Sequence, residues 1–449
     1  MNLVKLAPLL LMAGCTAVGP DYQRPAIGVS RSFVGGTHAP LAAVAWRAWW
    51  QDYHDPMLNE LISRGLNQGL DIASASERIR EAEANLRATG IAAALDGSAS
   101  LARMRSGGDG VSTTTTNSRE LSGSLVVDMF GGIRREREAA KADLVAARAD
   151  LESTRLAWLA ELIAAYSDAR YYQESLALTR ETINSRVQTV SVTQKQYEAG
   201  AETEYDLAEA QALLDAARAD LPQYLAEFNA NVFAIATLLN EPAGPIMAQM
   251  QKGAPQLRTP GKVSVGVPAD LLRTRPDVRY YEGLLHAAVA EIGVATADML
   301  PSVTLTGDIT VSGSITSWSY GPELSLPVLN QGQLAAQRDA KISEAKQAEI
   351  DWRSAVASAV EDVQVALSNL AQYRLRSVAL QKSVASYSRA LSMAQENYRA
   401  GAITLLDLLD TDRSTASAKI SAASARNDAA KEWATLQIAI GAGASADDD

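Results

Sequence analysis

The chain has 449 residues, 47% of them apolar, and a formal net charge of −11. That length holds two or three ordinary domains and that apolar share supports a packed core. The acidic balance excludes nucleic acid as the main partner, since phosphate binding needs clustered Lys and Arg, and the single cysteine, Cys15, excludes a disulfide within the chain.

At the start, Lys5 precedes an apolar stretch, Leu6 to Gly14, which is too short to span a bilayer as a helix. It reads as a signal peptide over 1–14. Leu11-Met12-Ala13-Gly14-Cys15 resembles a bacterial lipobox, which makes Cys15 the expected lipidation site. Residues 15–70 follow as an extended Gly/Pro/Ser-rich lead, an aromatic cluster (Trp46, Trp49, Trp50, Tyr53) that reads as packing, and a helix opened by Asp55-Pro56. No later segment has the continuous apolar length of a transmembrane helix, so any membrane crossing must use β-strands.

The rest reads as two repeats, 71–240 and 271–440, around an irregular Pro/Gly-dense connector at 241–270. Each repeat begins with a helix (from about Asp71, and from Arg275-Pro276-Asp277) whose apolar residues recur at helical spacing. The period then shortens to two, as in Val303, Leu305, Gly307, Ile309 and Val311 against Thr304, Thr306, Asp308 and Thr310. This predicts a hairpin over about 95–129, with a polar loop from Ser106 to Asn117, and a second over about 302–328, its return strand carrying Leu324, Leu326 and Val328.

Each hairpin runs into a long helix, expected over 132–199 and 332–400, whose interior between Gly132 and Gly200, and between Gly332 and Gly401, holds no Pro or Gly. Either could form a helix of roughly 100 Å at 1.5 Å per residue. Val356, Val360, Val363, Leu367 and Leu370 repeat every 3.5 residues on average, the period of coiled helices. The stretches end alike, in Tyr197-Glu-Ala-Gly200-Ala201 and Tyr398-Arg-Ala-Gly401-Ala402, and return helices are expected over 203–239 and 404–440, with Pro222 kinking or breaking the first. An acidic tail, 441–449, closes the chain. Four strands cannot close a barrel in lipid, because two edges would keep unpaired backbone groups. The strands therefore imply an oligomer.

The order of lipobox, Trp-rich lead, hairpin, long helix and Gly-Ala turn, repeated, together with Arg275-Pro-Asp-Val-Arg279, Ile292-Gly-Val-Ala295 and Leu300-Pro-Ser-Val303, resembles the TolC/OprM-type outer-membrane efflux channels, in particular their lipoprotein (NodT-like) branch. The resemblance implies a mainly α fold with a small β part. Long antiparallel coiled helices would form a periplasmic α-barrel continuous with a trimeric twelve-stranded β-barrel, with a mixed equatorial domain. It implies a homotrimer, lipid-anchored in the bacterial outer membrane and reaching into the periplasm. Its partners would be a periplasmic adaptor protein and an inner-membrane RND-type transporter, and it would be a passive exit duct for small molecules such as drugs. The same architecture also serves type I protein secretion. From the residues alone, a lipid-tethered periplasmic coiled-coil protein without a pore is the alternative of another class, and such a tether would have no need of the four alternating segments.

The resemblance places a gate near the tips, with Leu406 as an apolar plug, Asp410 as a carboxylate ring and Arg413 as a latch. Asp407 stands where the family commonly has an uncharged residue, and the first-half equivalents are Tyr205, Asp206 and Glu209. Asp407 and Asp412 read more simply as solvated acids at a helix N-terminus. Adaptor docking falls on Tyr197, Gly200, Ala201, Tyr398, Gly401 and Ala402. His38, His54 and His286 lack metal-ligand spacing, and no phosphate-binding loop or nucleophile elbow occurs. No enzyme activity, metal or cofactor is expected.

Overall fold

The structure, a computed structural model, describes residues 17–28, 30–34, 48–261 and 265–443. The signal peptide, Cys15, His38, Trp46 and the acidic run Asp447 to Asp449 lie outside them. The principal elements are α1 (Pro56–Gln68), α2 (Leu70–Ala88), β1 (Leu95–Gly108), β2 (Val111–Val127), α3 (Gly132–Glu198), α4 (Glu204–Leu238), α5 (Ala243–Met250), α6 (Pro276–Ala297), β3 (Ser302–Ser312), β4 (Ile315–Ser325), α7 (Gln331–Arg399) and α8 (Leu405–Ala439). Helices α3 and α7 have 67 and 69 residues, against 35 each for α4 and α8. Among the described residues no helix is long and apolar enough to cross a membrane.

Four expectations need correction. The polar stretch Ser106 to Asn117 is mostly strand, not loop: β1 and β2 continue to a two-residue turn at Asp109-Gly110, where Gly110 has φ +82°. Thr113 to Thr116 are polar but β-branched, which suits a pleated backbone. Likewise β4 begins at Ile315 and ends at Ser325, so Leu326 and Val328 lie past the strand. Pro222 does not break α4. It sits on the exposed side, where water can take the hydrogen bond its missing N–H would have made. The connector holds α5, because Gly244 and Pro245 fall in its first turn, where no intrahelical donor is needed.

Contacts divide the chain into two compact units, and neither coincides with a repeat. One comprises 1–28, 75–151 and 277–357; the other comprises 29–74, 152–276 and 358–449. Each unit takes a piece of both repeats.

The first unit holds a four-stranded antiparallel sheet in the order β1-β2-β3-β4. Residues opposite one another share a face. One face therefore aligns Leu95, Leu125 and Leu305, then Ala99, Leu121, Ile309 and Trp318. The other aligns Ser98, Ser122, Asp308 and Ser319, with Ser98 and Ser122 sharing a hydrogen bond of 2.8 Å and Ser319 bonded to Asp308. Large apolar side chains stand exposed on the first face, among them Leu101, Trp318 and Tyr320.

In the same unit the start of α3 packs on α6 through Ala139, Ala142, Ala287 and Ala290. A Cβ added at Gly283 would lie 2.9 Å from that of Ala146, so the glycine permits the close approach. The segment 17–28 is fastened across these helices. Arg24 makes a two-pronged contact with Glu282 (2.6 and 2.7 Å), Tyr22 stacks on His286 at 4.4 Å, and the buried Arg135 pairs with Asp21 and Glu138, both at 2.7 Å. Glu138 also meets His286 at 3.0 Å; burial alone would raise its carboxyl, but the hydrogen bonds from Arg135 and His286 and the Arg135 charge hold it below the ordinary range.

In the second unit, Trp49 and Tyr53 pack edge-on against Trp433 with ring centroids 5.5 and 4.9 Å apart, and the Trp49 indole donates to the Ala442 carbonyl at 2.9 Å. Gly65 makes room for the Trp158 ring, which a Cβ would meet at 2.0 Å.

Candidate functional site: the paired helical tips

Both tips belong to the second unit. At the first, α3 ends in a Schellman turn: the Gly200 N–H donates to the Tyr197 carbonyl at 2.9 Å and the Ala201 N–H to the Gln196 carbonyl at 2.8 Å. At the second, Gly401 donates to Tyr398 and Ala402 to Asn397 at the same two distances. Gly200 and Gly401 share a φ of +72°, and neither has an atom near where a Cβ would stand. Backbone angle, not space, requires glycine there.

Each return helix then opens with a capping box. The Asp206 carboxylate accepts from the Thr203 N–H and hydroxyl at 2.9 and 2.6 Å, and the Thr203 oxygen accepts from the Asp206 N–H at 3.2 Å. Asp407 and Thr404 repeat this at 3.2, 2.6 and 3.3 Å. The Thr203 hydroxyl, then its backbone N–H, holds the Asp206 carboxyl below the ordinary range. Asp206 and Asp407 are therefore engaged in forming the helix starts.

Side chains separate the two tips. Tyr398 is only 2% exposed and packs with Ala394, Leu405, Leu408, Leu409 and, from α4, Ala210. Its hydroxyl lies 3.0 Å from that of Thr193, and burial pushes its pKa up to about 12. Of the docking candidates, Tyr398 is therefore the one whose ring is packed inside the tip. Tyr197 and Tyr205 at the first tip are exposed.

On α8, Leu406, Asp410 and Arg413 are exposed at a helical spacing of four and three, while Leu405, Leu408, Leu409 and Asp412 are buried. Asp410 and Arg413 approach to 4.0 Å with side chains 74% and 59% exposed, too loose a pair to stabilise much. The first-half equivalent of Asp410, Glu209, is half-buried on α4.

Asp412 is not a solvated acid. It forms a 2.7 Å ion pair with Arg186 of α3, both side chains under a tenth exposed, and the guanidinium also donates to the Leu213 carbonyl at 2.8 Å. The pair ends a ladder between antiparallel α3 and α8: Asp168 with Lys431, Glu174 with Arg426, Glu181 with Lys419, then Arg186 with Asp412. In the first three rungs α3 carries the acid; in the last it carries the base. Sequence reading missed this ladder. The cations Lys419, Arg426 and Lys431 lie along α8, but nothing local to them identifies their partners on α3. A polar cavity of about 400 Å³, lined by Ser185, Gln188, Ser392, Gln395 and Thr415, lies beside the buried rung. Among the described residues no cluster of His, Cys, Asp and Glu could hold a metal ion.

A four-stranded sheet with one polar and one apolar face, in a chain with helices of 67 and 69 residues, is the pattern of outer-membrane channels of the TolC type. The family described as outer membrane efflux protein matches residues 61–241 and 267–442, and the chain belongs to it. Nodulation protein T of Rhizobium leguminosarum bv. trifolii is 38% identical over 448 residues, covering 97% of this chain and 96% of that protein. The pyoverdine export outer membrane protein OpmQ of Pseudomonas putida is 29% identical over 469 residues, covering 98% and 97%. Of solved structures, the outer-membrane channel OprN superposes with a TM-score of 0.85 at 28% identity, over 95% of this chain and 99% of that one. The protein is an outer-membrane efflux channel that reaches into the periplasm.

Proposed function

We propose that this chain is one third of a homotrimer that releases small organic molecules, handed over by a periplasmic adaptor and an inner-membrane RND-type transporter, to the cell exterior. The observation that carries this reading is the sheet. Its outer strands, β1 and β4, each pair on one side only, and its apolar face is uncovered. In hydrocarbon each unpaired backbone group costs several kcal/mol, so β4 must join β1 of a second copy. Three copies give twelve strands, enough for a water-filled lumen, whereas about eight strands fill with side chains. The export role of OpmQ favours small organic cargo over protein.

In this reading 71–240 and 271–440 are duplicated halves, Cys15 carries the lipid, and 15–70 with 241–270 belong to the equatorial belt. The exposed stripe Leu406, Asp410 and Arg413 faces the axis at the periplasmic constriction, where three-fold symmetry would gather like carboxylates that attract cations. Gly200-Ala201, Gly401-Ala402 and Tyr197 form the adaptor-facing surface.

Purified protein in planar bilayers tests the channel: discrete conductance with a mass of three chains is expected, and a monomer without conductance overturns the reading. Asp410→Ala with Arg413→Ala should raise single-channel conductance; an unchanged value removes both from the constriction.

A further inference from the structure

The charged residues of the sheet are sorted by face. Asp96, Glu120, Asp308 and Glu323 all lie on the Ser/Thr-rich face, while Arg103, Arg105 and Arg119 all lie on the apolar face. Arg119 and Glu120 are neighbours in sequence yet point to opposite sides. All three arginines are exposed, and among the described residues none pairs with a carboxylate. They also cluster at one end. Arg119 is opposite Val311, next to the last pair joining β2 to β3, and Arg103 and Arg105 lie further towards the Asp109-Gly110 turn. The helices attach at the other end of the strands. Leu101 stands opposite Arg119, and below that pair the same face is apolar, with Leu121, Ile309 and Trp318.

We propose that Arg103, Arg105 and Arg119 form a binding surface for a multiply acylated, phosphorylated lipid in the outer leaflet, the chemistry of lipid A. This rests on the channel reading, which turns the apolar face to lipid and the turns to the exterior. An arginine on a lipid-facing strand is costly at mid-bilayer and tolerated at the interface. The fork of the guanidinium matches two phosphate oxygens. A lipid with phosphates above and acyl chains below complements both parts of the surface.

The test uses the full-length oligomer in phosphatidylcholine nanodiscs doped with diphosphorylated lipid A or with the same lipid dephosphorylated, with bound lipid counted by native mass spectrometry. Wild type should retain the phosphorylated lipid. Replacing all three residues, Arg103→Gln, Arg105→Gln and Arg119→Gln, should lower retention at least tenfold, and Lys at the same positions should restore part of it. Equal retention of the dephosphorylated lipid, equal retention by the Gln variant, or full displacement by millimolar inorganic phosphate overturns the proposal. If the triple variant does not assemble, Arg103→Gln and Arg105→Gln singly should each lower retention two- to threefold, and no loss in either overturns it. Conductance measured on the same samples separates the two readings. Wild-type conductance with unchanged retention sinks the lipid surface alone, whereas wild type without conductance sinks the channel and this surface with it.

Discussion

The two tips have one backbone and two different interiors. Their turn and cap hydrogen bonds agree to within a few tenths of an ångström, at positions 201 residues apart, Gly200 against Gly401. Yet the second tip encloses Tyr398 and closes on the Arg186–Asp412 pair, while the first leaves Tyr197 and Tyr205 in solvent. The position equivalent to Asp412 in the first repeat is Gln211, which reaches only to the exposed Asp215 on its own helix. Duplication preserved what the chain needs to reverse direction, and left the side chains free to make one tip fixed and the other open.

The largest effect is expected at the buried rung. Asp412→Ala strands the Arg186 guanidinium without a counter-charge and should cost about 3–5 kcal/mol. Gln211→Ala should stay within about 0.5 kcal/mol. Chemical unfolding followed by circular dichroism measures both, and equal losses would erase the difference between the tips. Next come the turn glycines. Gly200→Ala and Gly401→Ala each place a side chain at left-handed φ and should cost about 1–2 kcal/mol apiece. The two losses should match, since the turns are the same. Thr203→Ala and Thr404→Ala should each remove a cap worth about 1 kcal/mol, again equally.

An effect of similar size concerns the Tyr398 hydroxyl. Removing it in Tyr398→Phe should cost roughly 0.5–1.5 kcal/mol, against almost nothing for Tyr197→Phe. Its pH signature has a definite sign. An unfolded tyrosine ionises near 10, whereas burial holds Tyr398 at about 12. Stability linked to this group is therefore complete below pH 10 and declines as the pH rises towards 12. Thermal melts across that window should show a steeper alkaline decline for wild type than for Tyr398→Phe; parallel curves would place the ring in solvent after all.

Local chemistry made much of this legible in the sequence. Pro- and Gly-free runs marked α3 and α7, and the repeated Tyr-x-Ala-Gly-Ala-x-Thr marked both turns and the return helices beyond them. Strand ends were misjudged where Thr113 to Thr116 interrupted the apolar alternation, because propensity there comes from branching at Cβ and not from hydrophobicity. Of the two outcomes expected at Pro222, a break does not occur, since the rule that proline ends helices weakens where water can replace the lost bond. The ion ladder was out of reach: Asp168 and Lys431, or Arg186 and Asp412, stand more than two hundred residues apart and carry no local signature.

What the sequence by itself determined is every feature set by neighbours along the chain: helix length, turn geometry, capping, and which side of each strand is apolar. Tertiary structure alone decided which acids are buried and paired, that Tyr398 faces inward while Tyr197 does not, and that both compact units draw on both repeats. The physical reason is range. Backbone angles and side-chain alternation are fixed within a few residues, whereas desolvation and charge pairing depend on which distant helix the fold brings alongside.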